Sequence, residues 1–174
     1  KNPTRSALEK NIAAIENGNF AICFSSGMGA ADAIIKLLKP GDSIICNKDI
    51  YGGTYRMFEQ VFKNFGLNFK YTDLTKSENI TPFLDESTKL VWLETPSNPL
   101  MHIIDIKKIR QLISNYPKVI IVVDNTFATP ALQQPLELGA DIVLHSATKY
   151  LGGHSDIIMG ALVTNDHVLY EKLF

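Results

Sequence analysis

Five apolar residues in a row, Val119–Val123, end abruptly in Asp124, and no polar side chain interrupts them to offer one face to water. A strand of that kind has to be buried on both faces, which calls for a sheet covered on both sides. Further apolar runs recur at Phe20–Phe24, Ser43–Cys46, Lys89–Leu93 and Ile142–Leu144, and residues 67–72 and 157–164 also read as extended. Between them lie stripes at helical spacing: Leu8, Ile12 and Ile15; Ala31, Ile34, Ile35 and Leu38; Phe58, Val61, Phe62 and Phe65; Ile106, Ile109 and Ile113. Ser6-x-x-Glu9 reads as a capping box for the first helix and Asp105 as the cap of the last, with Gly18, Lys39-Pro40-Gly41 and Gly66 as stops. Strands alternating with amphipathic helices give an α/β fold built on a largely parallel sheet, in a single domain of 174 residues.

Composition narrows the function. The formal net charge is -1 with both signs scattered, so there is no basic stripe for nucleic acid and no polybasic patch for a membrane surface. No apolar run approaches the roughly 20 residues that span a bilayer, and Lys1-Asn2-Pro3-Thr4-Arg5 does not lead into a signal-peptide core, so a cytoplasmic setting is expected. Cys23 and Cys46 sit in apolar runs without metal-ligand spacing and read as reduced packing residues. Small-molecule chemistry is what remains.

In parallel sheets ligands bind beyond the carboxyl ends of the strands, and that rule singles out five stretches. Ser25-Ser26-Gly27-Met28-Gly29 is a glycine turn leading into a helix, suited to a phosphate, and it fits neither G-x-G-x-x-G nor the P-loop pattern of a nucleotide site. Asp49-Ile50-Tyr51-Gly52-Gly53-Thr54 sets an aromatic ring beside two glycines, where a flat ligand can stack. In Glu94-Thr95-Pro96-Ser97-Asn98-Pro99 two prolines are expected to hold the backbone extended and aim the Asn98 amide at a ligand oxygen. Asp124-Asn125-Thr126 puts a carboxylate at the end of the most buried strand, where it either caps a turn or holds a cationic partner that offsets the cost of burial.

The fifth stretch is Ser146-Ala147-Thr148-Lys149-Tyr150, followed by Gly152-Gly153-His154-Ser155-Asp156. A lysine at the mouth of a buried sheet is expected to be desolvated and so to become a usable nucleophile towards a carbonyl. His145 and His154 could join Asp156 around a metal, but a third well-spaced ligand is missing, and no metal is expected. Each stretch alone also reads as an ordinary turn. Together they describe a phosphate (Gly27, Met28, Ser146, Thr148), a flat ring (Tyr51), a ring nitrogen that wants a proton (Asp124, beside Thr126) and an aldehyde (Lys149). Pyridoxal 5′-phosphate (PLP) has all four features.

These motifs, with Asn2-Pro3-Thr4 and Val123-Asp124-Asn125-Thr126-Phe127, closely resemble the Cys/Met metabolism, or transsulfuration, family of PLP enzymes along essentially the whole chain. The resemblance implies the large domain of PLP fold type I, like aspartate aminotransferase: a mostly parallel seven-stranded sheet sandwiched by helices. It implies a Schiff base on Lys149, Asp124 on the pyridine nitrogen, Tyr51 stacked on the ring and Asn98 near the ring oxygen. The phosphate would fall to the Gly27 and Met28 amides and the Ser146 and Thr148 hydroxyls. Lys149 would then be the general base. Tyr51 would be a second acid or base, its hydroxyl depressed in pKa by cationic surroundings.

Members resembling methionine γ-lyase tend to carry a cysteine two residues after the stacking tyrosine, where this chain has Gly53, so cystathionine is the expected substrate or product. Cleavage of cystathionine by γ-elimination is the first expectation, and γ-synthase, β-lyase or a non-catalytic cofactor-binding fragment are the alternatives. Family members are more than twice as long and form homo-oligomers, expected here as a tetramer built from two dimers. The resemblance therefore makes residues 1–174 the PLP-binding large domain, with an N-terminal arm and the small domain that grips the substrate carboxylate lying outside it.

Overall fold

The Val119–Val123 run forms the middle strand of a seven-stranded sheet. The computed structural model describes residues 2–174, Lys1 lying outside them. The elements in order are α1 (Pro3–Ile15), β1 (Phe20–Phe24), α2 (Gly27–Ile35), β2 (Ser43–Asn47), α3 (Gly52–Gln60), β3 (Asn68–Thr72) and β4 (Thr88–Glu94). After these come α4 (Ile106–Leu112), β5 (Ile120–Asp124), α5 (Thr129–Leu132), β6 (Ile142–Ser146), β7 (Gly160–Thr164) and α6 (His167–Leu173). Single 3₁₀ segments occur at Phe62–Phe65 and Ser77–Phe83.

The strand order is β1-β7-β6-β5-β4-β2-β3. Only β7 runs against the others, pairing antiparallel with both β1 and β6. Alternation along each strand feeds two cores. Ile142 and Leu144 of β6 join Val122 and Trp92 beneath α2, α3 and α6, through Ala31, Ile34, Ile35, Phe58 and Leu173. Val91, Leu93, Ile121 and Val123 face Ile106 and Ile109 of α4 on the other side, where Val143 also meets Ile12 of α1. Each fully buried Ile or Leu contributes about 1.5–3 kcal/mol relative to exposure, which is why these runs tolerate no polar interruption.

Several local expectations need correction. The cap of α1 is Asn2, whose Oδ1 accepts from the Arg5 N–H at 3.1 Å, with Pro3 at the first helical position. Asparagine followed by proline outcompetes Ser6, and Glu9 is drawn instead to Arg5 Nε (2.8 Å) and the Cys23 N–H (2.9 Å). Leu8, Ile15, Val61 and Phe65 are exposed, so the stripes of the first and third helices are narrower than their spacing suggests. The chain leaves α-helical geometry after Gln60, continues as a 3₁₀ turn and reverses at Gly66, whose φ of +78° suits glycine. The 95–104 loop is not extended: Ser97 N–H bonds His102 O (3.0 Å), Met101 N–H bonds Ser97 O (2.8 Å), and both proline peptide bonds are cis. Asp105 caps α4 as expected, accepting from the Lys108 N–H at 2.9 Å.

Candidate active site

Because β1, β2, β4, β5 and β6 all point the same way, the five stretches that follow them meet at one edge of the sheet. They enclose a cavity of about 260 Å³. All nine residues singled out from the sequence line it: Gly27, Met28, Tyr51, Asn98, Asp124, Thr126, Ser146, Thr148 and Lys149. Ala31, Leu144, Phe127 and Ile158 add apolar wall, and Glu94 adds a second carboxyl.

The α2 end of the cavity is built for an anion. Ser26 caps the helix by accepting from the Gly29 N–H (3.0 Å), and the Ala30 N–H goes to Ser26 O (3.0 Å), so the first-turn amides of Gly27 and Met28 sit at the positive end of the helix. Glycine is needed at two points of close approach. A Cβ on Gly27 would come within 2.9 Å of the Ser146 Cβ, and one on Gly160 would run into the Ser26 carbonyl. The hydroxyl of Thr148 donates to Met159 O (3.2 Å) and accepts from Met159 N–H (3.0 Å), so it would have to leave Met159 O before donating to a phosphate.

The floor is Asp124. Thr126 gives its Oδ1 two hydrogen bonds, from the hydroxyl at 2.5 Å and the backbone N–H at 3.0 Å, and the same hydroxyl accepts from Ser146 N–H at 2.8 Å. Thr126 thus fixes the carboxyl and ties β5 to β6. Burial pushes the Asp124 pKa up, against the pull of these bonds and of the charge on His145 behind the sheet. A half-buried carboxyl turned into a cavity, with no ion pair to a cation among the described residues, fits a ligand that brings a proton-bearing nitrogen.

Next to it Glu94 lies almost fully buried at 5% exposure. Its Oε2 accepts from the Tyr51 N–H (2.6 Å) and its Oε1 from the Asn98 N–H (2.8 Å). Burial, then the charges of Asp124 and Asp49, push its pKa up to about 8 in spite of those bonds. In sequence, Glu94 stands out only as the first residue of the Glu94-Thr95-Pro96 stretch. The signal that could have found it is the one that found Asp124, a carboxyl closing an apolar strand.

One expectation changes. Lys149 is exposed, so these residues alone do not desolvate it. Tyr51 is held through its backbone N–H, which donates to Glu94 Oε2, and the residue is 45% exposed. Its ring lies over Gly53: a Cβ there would collide with Tyr51 Cε1. His145 belongs to neither cavity nor metal. It is buried against Glu16, whose Oε1 also accepts from Asn125 Nδ2 (2.8 Å), and Gln133 Nε2 carries that network to Asn125 Oδ1 and Thr95 O (both 2.9 Å). Among the described residues no cluster of three or more His, Cys, Asp or Glu could hold a metal, and no helix is long and apolar enough to cross a membrane.

The family model for Cys/Met metabolism PLP-dependent enzymes matches residues 1–174. The chain belongs to that family. Among its relatives, the cystathionine gamma-synthase/O-acetylhomoserine (thiol)-lyase of Bacillus subtilis is 49% identical over all of this chain and 46% of its own length. The cystathionine gamma-lyase of Dictyostelium discoideum is 48% identical over 99% of the chain and 44% of its own. The structure of a cystathionine gamma-lyase from Lactobacillus plantarum, complexed with L-serine, superposes with a TM-score of 0.96 at 45% identity, covering 99% of this chain and 45% of that one. The chain thus spans about half the length of the curated relatives it matches. Family membership makes the cofactor pyridoxal 5′-phosphate, and the fold is that of the family's solved enzymes.

Proposed function

We propose that residues 1–174 form the PLP-binding large domain of a transsulfuration enzyme that cleaves cystathionine by γ-elimination to cysteine, 2-oxobutanoate and ammonia. The observation that carries this reading is the convergence of nine site residues from five strand ends on one cavity, with the Asp124 carboxyl facing into it. When bound, the cofactor supplies an electron sink that acidifies the substrate α-carbon.

On this reading the chain's own groups act as follows. The Gly27 and Met28 amides and the Ser146 hydroxyl bind the phosphate, Asp124 holds a proton on the ring nitrogen through its carboxylate, and Tyr51 stacks on the ring. Asn98 orients the ring oxygen. Lys149 Nζ would be the amine that holds the cofactor's aldehyde, and would serve as the general base toward the substrate α-proton. Desolvation of Lys149 then comes from the bound ligand rather than from this chain's packing. Thr126 keeps Asp124 oriented.

Gly53 supports cystathionine over methionine, and γ-synthase and β-lyase are the competing reactions, since relatives of nearly equal identity carry lyase and synthase names. A cytoplasmic homo-oligomer, a tetramer of two dimers, belongs to the same proposal. Exposed Ile158 (75%), which lines the cavity, and Tyr150 (63%), next to Lys149, are apolar surface of the kind subunit contacts cover.

The test is turnover by the PLP-loaded chain. Release of 2-oxobutanoate from cystathionine is expected to exceed formation of cystathionine from cysteine and an activated homoserine ester. The reverse ratio would transfer the assignment to γ-synthase. Tight cofactor binding with neither activity would favour a non-catalytic cofactor-binding fragment.

A further inference from the structure

Glu94 joins two walls of the cavity that arrive from different strands. One oxygen holds the turn that carries Tyr51, after β2, and the other holds the loop that carries Asn98, after β4 itself. We propose that ionised Glu94 is the positioning residue that sets the Tyr51 turn and the Asn98 loop against each other, so that this side of the cofactor site is assembled only while both carboxylate oxygens accept. The proposal rests on the reading of the cavity as the PLP site.

The clamp depends on how many acceptors Glu94 presents. A carboxylate accepts on both oxygens, whereas a neutral carboxyl carries a proton on one of them and turns an acceptor into a donor facing an N–H. Protonation therefore releases either Tyr51 or Asn98. The groups facing Glu94 are mostly acidic: Asp124 from β5 and Asp49 from the segment before α3. Asp49 is in turn held by Ser97 Oγ (2.6 Å) and by His102 Nδ1 (2.7 Å), both from the Asn98 loop. The Tyr51 phenol and the Lys149 amine line the same cavity. Burial and the two aspartates favour the neutral form, the two N–H donors favour the ionised one, and the balance lies near 8. A proton-bearing ring nitrogen received by Asp124 offsets one of the charges that oppose ionisation. Ligand binding and the clamp therefore reinforce each other.

The clamp can be read without cofactor, so its failure is separable from failure of the PLP reading. In the full chain, the ¹³C signal of the Glu94 carboxyl and the ¹⁵N signals of Tyr51 and Asn98 are followed between about pH 6 and 10. All three are expected to share one midpoint near 8, and the amide changes should vanish in Glu94→Gln. Added PLP should lower that midpoint, and at about pH 9 Glu94→Gln should bind PLP roughly tenfold more weakly than wild type, the two converging near pH 6. Amides that stay still while the carboxyl titrates, a carboxyl that does not titrate in this range, or a variant that keeps the wild-type pH dependence would each overturn the proposal. Wild-type chain that binds no PLP at any pH would instead remove the cavity assignment, leaving the amide titration to decide the clamp.

Discussion

Glu94 and Asp124 close adjacent strands and face each other in register, and burial raises the pKa of both. They are nonetheless used differently. Glu94 gives its two oxygens to two backbone N–H groups of the protein, whereas both bonds to Asp124 come from Thr126 and fall on Oδ1 alone. A carboxyl whose acceptors are both satisfied by its own chain organises the site. One that is satisfied on a single oxygen and still lines the cavity is placed to receive a ligand.

If that division is right, the largest effect belongs to Asp124→Asn. It should cut PLP affinity by about a hundredfold or more, the result of removing one partner of a buried charge pair, while leaving the cofactor-free chain no less stable. Equilibrium binding alongside denaturant melts would check it, and a destabilised variant would mean that Asp124 is structural like its neighbour.

The second effect is on stability against pH. Glu94 has a folded pKa above its unfolded one, so the folded chain binds the proton more tightly. The stability that proton confers is therefore complete below about pH 4.5 and lost as pH rises through about 8. Asp124, also raised, adds to it with the same sign. Cofactor-free chain should lose on the order of a few kcal/mol between pH 5 and 9, and Glu94→Gln should flatten most of that slope in urea unfolding at a series of pH values. A slope unchanged by the substitution would show that Glu94 is not the titrating group.

Smaller still, Thr126→Val removes the donor to Asp124 and the acceptor for the Ser146 N–H, and should cost about 1–3 kcal/mol in thermal or urea unfolding. The smallest effect is at Gly53. Alanine there meets a half-exposed side chain rather than backbone, so Gly53→Ala should displace Tyr51 with less than about 1 kcal/mol lost in stability and weaken PLP binding only several-fold, visible as changed Tyr51 ring signals.

What the sequence made legible follows the same physics. Unbroken apolar runs located the strands, because double burial leaves no alternative reading, and the end-of-strand rule then found Asp124, Tyr51 and Lys149. The stretch 94–99 does not run extended because it folds back through Ser97 and His102 onto Asp49, 48 residues from Ser97 in sequence, and that pairing has no local pattern. The Glu16–His145 pair spans 129 positions and was invisible for the same reason. Exposure was also misjudged for Lys149, since following an apolar strand does not by itself bury a long side chain.

The most direct measurement is borohydride reduction of PLP-loaded chain followed by peptide mass spectrometry. One pyridoxyl group per chain on Lys149, absent from Lys149→Ala, is the expected result. Label spread over other lysines, or label of equal extent in the alanine variant, would contradict the assignment of Lys149 as the residue that carries the cofactor.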